Sequence, residues 1–110
     1  MADIKYKKGE LLFSGDISTN SQGAPYQTGT YSNFPIQLNE NRLIVEFDGV
    51  EYTCEANDVE SYTYGAYSTQ GVDFTNYPFG FRTIPDRTYY MLALYTKNPG
   101  TYNIKIYKVK

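Results

Sequence analysis

Along most of this chain, apolar residues recur at every second position, in short runs broken by Gly, Pro, Asn and Asp. The clearest case runs from Arg42 to Ala56, where two alternating runs flank Asp48-Gly49. A type I′ turn needs φ > 0 at both central residues, and an Asp-Gly pair supplies it at little steric cost. The turn sets the register. Phe47 faces Val50, Val45 faces Tyr52 and Leu43 faces Cys54, all on one face, which is predicted to be buried. The other face pairs Arg42 with Glu55, Ile44 with Thr53 and Glu46 with Glu51.

The same alternation predicts further strands. Glu10 to Ile17 reads as a strand with Leu11 and Phe13 on one face and Leu12 on the other, and Gly15 suggests a bulge. Thr19 to Ser32 is polar and reads as a long loop with a weak strand around Tyr26 to Tyr31. Phe34 to Leu38 reads as a short strand led by Pro35, and Asn39 to Asn41 as a turn. Within Asn57 to Tyr77, Tyr62-Thr63-Tyr64 alternates, and Gly65 and Gly71 punctuate the stretch. Pro78 to Ile84 alternates with Phe79 and Phe81 on one face, and Pro85-Asp86-Arg87 turns the chain.

Tyr89 to Thr96 is apolar on both faces: Tyr90, Leu92 and Leu94 on one, Met91, Ala93 and Tyr95 on the other. That pattern predicts a central strand covered on both sides, or one side covered by a partner chain. Asn98-Pro99-Gly100-Thr101 carries the type II turn signature. Tyr102 to Val109 alternates again, with Ile104 and Ile106 inward. No 3.6-residue period persists for ten residues, so no helix is predicted. About eight short strands in one domain, 1–110, predict an all-β fold, an antiparallel β-sandwich of Ig-like or jelly-roll-like type. A closed barrel is the alternative. Residues 1–9 would be an arm or an edge strand.

Composition adds one feature and removes several function classes. The 110 residues include 13 Tyr and 6 Phe but no Trp and no His, with a formal net charge of −2. A net negative chain with pI about 5.0 is not expected to grip nucleic acid or an anionic membrane. No run reaches the roughly 20 apolar residues of a membrane span. The opening Met-Ala-Asp-Ile-Lys-Tyr-Lys-Lys has no apolar core, so synthesis in the cytoplasm without a secretory signal is expected. The one cysteine, Cys54, is placed on the buried face of the hairpin as a small hydrophobe.

With no His, the usual acid–base and triad arrangements are missing, and no phosphate loop, nucleophile elbow or zinc spacing is present. No enzyme activity and no cofactor are expected. Glu46 and Glu51, facing each other, with Asp48 at the turn, form a weak candidate for calcium; a lysine neighbour on a solvated face is the plainer reading. The stronger candidates are aromatic. Tyr62, Tyr64, Tyr67, Phe74 and Tyr77, with Tyr26 and Tyr31 in the first polar segment, lie among Ser, Thr, Gly and Asn, the composition of binding loops. The competing reading has these rings capping the core.

From Leu43 onward the order of motifs is distinctive. Leu43 to Cys54 holds a hydrophobic strand, an Asp-Gly turn and a Tyr-x-Cys strand. Tyr64-Gly65, Asp73 to Phe79 with its Pro-Phe pair, and Gly100-Thr-Tyr-Asn-Ile-Lys-Ile106 follow. Over roughly residues 41 to 107 this order resembles small β modules of phage and prophage structural proteins, of head-fibre, capsid-decoration and tail-associated type. The resemblance implies a non-enzymatic virion protein that self-associates, as a homotrimer, and docks on other virion proteins. The absence of a coiled-coil shaft favours a compact decoration, head-fibre or connector-type subunit. The alternative is a Tyr-loop binding module for a host-surface glycan or a small ligand, the latter as a counter-defence protein.

Overall fold

The computed structural model describes residues 6–22, 30–68, 70–83 and 93–110. Its strands are β1 (Lys8–Thr19), β2 (Ser21–Gln22), β3 (Thr30–Asn33), β4 (Arg42–Phe47), β5 (Val50–Glu55) and β6 (Thr63–Gly65). They continue with β7 (Tyr67–Ser68), β8 (Gly71–Val72), β9 (Phe79–Arg82), β10 (Ala93–Thr96) and β11 (Gly100–Val109). A four-stranded sheet has the order β1-β11-β4-β5 and a five-stranded sheet the order β2-β3-β10-β9-β6; β7 and β8 form a small hairpin. Every strand pairing among the described residues is antiparallel. The protein is an all-β antiparallel sandwich with no helix among the described residues. Strands outnumber the eight expected because three pairs of residues in the polar segments, in β2, β7 and β8, also enter ladders.

The hairpin of β4 and β5 has the register that its turn dictates, from Arg42 opposite Glu55 to Phe47 opposite Val50. Asp48 and Gly49 have φ of 52° and 88°, the left-handed pair a type I′ turn needs. Leu43, Val45 and Cys54 are fully buried and Phe47 nearly so. Two positions depart from simple alternation. Val50, next to the turn, is 54% exposed. Ile44, on the opposite face, is fully buried. There β11 sets Tyr107 directly beside it, and the Lys8 ammonium lies 5.0 Å from the Tyr107 ring centre.

The core fills the space between the sheets. One sheet contributes Leu43, Val45, Cys54, Ile104 and Ile106, the other Tyr64, Phe79, Phe81 and Leu94. Phe34 and Leu38 enter from the connection between β3 and β4. That connection was expected to be a strand and is irregular instead. It crosses from one sheet to the other, so it cannot stay in either ladder. The Leu38 carbonyl is satisfied by the Thr83 hydroxyl instead.

In β1 the expected faces also change. The pairing with β11 slips between Lys8 and Leu11 and again between Leu11 and Phe13. The slip turns both Leu12 and Phe13 toward the core and leaves Leu11 48% exposed. Gly15, where a bulge was expected, stays in register opposite Ile104. Its missing side chain makes room for the Phe13 ring, which a Cβ would approach to 3.3 Å.

The strand expected to be central is central. β10 lies between β3 and β9, and Leu94 joins the main core. Ala93 and Tyr95 face the other way, into a second small cluster with Tyr67, Tyr31, Val72 and Phe74. The chain therefore covers both faces of β10 itself; Tyr89 to Leu92 lie outside the described residues. The fit is close at Gly80, where a Cβ would meet the Tyr67 amide nitrogen at 2.5 Å.

Two reversals complete the frame. Gly100 has no positive φ and is the first residue of β11, opposite Thr19, so the expected type II turn is absent. The chain turns over Lys97 to Pro99 instead, with the Asn98 carbonyl accepting from the Thr96 hydroxyl at 2.9 Å. Thr19, Thr30 and Thr96 form a buried hydroxyl triangle, with separations of 2.6, 3.0 and 3.2 Å, that joins β1 of one sheet to β3 and β10 of the other. Replacing Leu94 with Ala should cost about 2–5 kcal/mol. Leu11→Ala should stay within about 0.5 kcal/mol. Urea unfolding of both variants checks the difference.

Candidate functional site

β4 and β10 end, and β5, β9 and β11 begin, at one end of the sandwich. Alternation sends an aromatic ring inward from several of these strand ends. Tyr102 stacks on Phe47 at 4.9 Å and 23°, and Phe47 stacks on Phe79 at 5.0 Å and 27°. Tyr52 and Tyr77 meet Phe79 edge-on at 5.3 and 5.8 Å. Phe79 is fully buried, whereas Tyr52, Phe74, Tyr77 and Tyr102 are only partly covered. Above them opens a cleft of about 430 Å³, within the range of roughly 300–1,000 Å³ typical of small-ligand sites. Thr75, Asn76, Lys97 and Asn98 form its exposed rim.

Two of the rings are fixed by their own hydroxyls. Tyr77 donates to the Thr53 carbonyl at 3.1 Å, and Tyr102 donates to the Asn98 carbonyl at 2.7 Å. Partial burial pushes the Tyr77 phenol pKa up. The loop carrying Phe74 and Tyr77 is tied down at its start, where the Asp73 amide donates to the Ala66 carbonyl at 2.8 Å. The Asp73 carboxylate accepts from both the amide and the hydroxyl of Thr75, which holds it below the usual carboxylate range. Two further concavities border the same loop, one beside Val72 and Lys97, the other beside Asn57 and Ser68.

The expected binding residues divide. Phe74 and Tyr77 line the cleft. Tyr64 does not: it is fully buried and donates to the Glu40 carbonyl at 2.6 Å, and burial raises its phenol pKa. Tyr62 lies 6.4 Å from the Tyr64 ring, packed against the core. Tyr67 is buried 4.8 Å from Tyr95 and beneath the Arg82 guanidinium, and Tyr31 stacks on Tyr95 at 5.8 Å. Tyr31, Tyr64 and Tyr67 therefore build the sandwich: Tyr64 fills the core between the sheets, and Tyr31 and Tyr67 cover the apolar outer face of β10. Tyr26 lies outside the described residues. Phe47, Tyr52, Lys97, Asn98 and Tyr102 were missed. Each sits at a strand end or turn, where alternation gives a face but no depth.

The carboxylates are placed differently from a metal centre. Glu46 and Glu51 do face each other, with the Lys8 ammonium 2.6 and 2.9 Å from them. Asp48 turns away, its carboxylate accepting the Asn103 amide at 3.3 Å. Among the described residues no group of three or more His, Cys, Asp or Glu could hold a metal ion. The hydrogen bond from Lys8 is the main cause holding the Glu46 carboxyl below its ordinary range. Burial pushes the Cys54 thiol up to about 12.

Compared with known protein families, with curated proteins and with solved structures, the chain has no match.

Two outcomes follow from these environments. Cys54 should resist a thiol reagent at neutral pH in the native protein and react fully in denaturant, because the thiolate is the nucleophile and burial opposes it. Glu46 titrates lower in the folded state, so its contribution is present above the ordinary carboxylate range and is lost as pH falls through the folded value. Lys8→Gln should move the Glu46 carboxyl back up in an NMR titration and flatten the acid limb of the stability curve.

Proposed function

We propose that this protein is a non-enzymatic recognition subunit that holds a glycan of a host surface in the aromatic cleft, and that it does so as part of a phage or prophage particle. One observation carries the recognition reading: Tyr77 and Tyr102 present partly exposed rings whose hydroxyls are already bonded to backbone carbonyls. Rings fixed before a ligand arrives lose little freedom on binding, and that loss is a main cost of recognition. A sugar ring has an apolar C–H face that fits an aromatic ring and hydroxyls around its edge that fit the Asn76 and Asn98 amides. The described residues lining the cleft present aromatic, amide, hydroxyl and ammonium groups, which supports holding a ligand as its chemistry.

The particle context is supported by the resemblance of residues 41 to 107 to virion β modules. Self-association and docking on other virion proteins remain part of the proposal. The internal use of Tyr31, Tyr64 and Tyr67 leaves fewer rings for such a surface and favours glycan holding as the primary role. On a panel of bacterial surface polysaccharides, the protein should show saturable binding that Tyr77→Ala weakens at least tenfold, with an unchanged circular-dichroism spectrum. A panel with no binder would defeat the glycan reading. Absence of the chain from purified particles, checked by mass spectrometry, would defeat the virion reading.

A further inference from the structure

We infer that the cleft selects a saccharide bearing a carboxylate, with Lys97 as the cationic contact; this rests on the glycan-holding reading above. Among the described residues, Lys97 is the one charged side chain lining the cleft, and it also borders the adjoining concavity beside Phe74. Its side chain is exposed and makes no ion pair within 4.0 Å among the described residues. Lys8 is engaged with Glu46 and Glu51, Arg42 with Glu55, and Lys108 lies near Glu10 and Glu40, whereas Lys7, Lys105 and Lys110, like Lys97, make no ion pair among the described residues but do not line the cleft. Asp73, which lines the adjoining concavity together with Lys97, accepts from the amide and hydroxyl of Thr75. An ammonium with no ion pair, on a rim whose other described residues are neutral, matches a ligand with one negative charge at the edge of an apolar face.

The fold also argues for a ligand read by side chains. β4, β9, β10 and β11, which frame the cleft, are each paired on both sides, and β5, which brings Tyr52 to it, is an edge strand whose Thr53 carbonyl already accepts from Tyr77. The four inner strands offer no free ladder to an extended peptide, which favours recognition by the Tyr rings, the amides and the ammonium. A uronic or similar sugar acid satisfies all three: its ring on Tyr77 or Tyr102, its hydroxyls on Asn76 and Asn98, its carboxylate on Lys97. Exposed charge pairs are modest and screened by salt, so the acid preference should be moderate and salt-sensitive.

The test uses glucuronate oligosaccharides and matched neutral glucose oligosaccharides as probes, followed by amide chemical shifts of the full chain. The acidic probe should bind about three- to tenfold more tightly at low salt. Lys97→Gln should erase that preference, and Tyr77→Ala should weaken both. Equal binding of the two probes, or an acid preference that survives Lys97→Gln, would overturn the inference while leaving the cleft a glycan site. If neither probe shifts the cleft resonances saturably, the inference and the glycan reading fall together.

Discussion

The stack of Tyr102 on Phe47 on Phe79 is the contact on which the rest of the structure depends. Tyr102 and Phe47 belong to one sheet and Phe79 to the other, so the stack ties the two layers at the end where five strands start or stop. Aromatic pairs of this kind contribute about 0.5–1.5 kcal/mol beyond the area they bury. Phe47 is aimed there by the Asp48-Gly49 turn, whose amide at Asp48 bonds the Asn103 carbonyl at 2.7 Å and so locks the hairpin to β11. Phe47 and Tyr102 also line the cleft. Core stability and the shape of the candidate site are thus one property at this end of the molecule.

The tyrosines serve two purposes through one chemical habit. Tyr64, Tyr77 and Tyr102 each donate to a main-chain carbonyl, at Glu40, Thr53 and Asn98. A polar group removed from water must find such a partner, and these bonds supply it. For Tyr64 the result is a sealed core residue. For Tyr77 and Tyr102 it is a ring held still with part of its surface open. The difference is depth alone.

Electrostatics follows the same division. Lys8 bridges Glu46 and Glu51 on the solvated face, where like carboxylates directly opposite would otherwise repel. That arrangement steadies the start of β1 against the hairpin. Lys97 stands apart at the cleft, in a chain whose net charge is −2. A local cation on a net negative surface is suited to picking out an anionic group at short range and not to long-range attraction.

What the sequence determined by itself was local. Alternation and the Asp-Gly pair gave the hairpin residue by residue, because a two-residue turn fixes register through its own φ angles. The apolar character of Ala93, Leu94 and Tyr95 on both faces required cover on both sides, and the packed sheets show that the chain itself supplies it. Tertiary structure decided everything that depends on what lies opposite. Which side covers Ile44, why Phe34 and Leu38 leave the ladder, and where β1 slips at Leu11 are set by the neighbouring sheet. So is the fate of each tyrosine. Tyr64 and Tyr77 sit in similar polar surroundings along the chain, yet one is sealed and the other lines a cleft. Depth of burial is a property of packed layers, and a one-dimensional pattern records only the side to which a residue points.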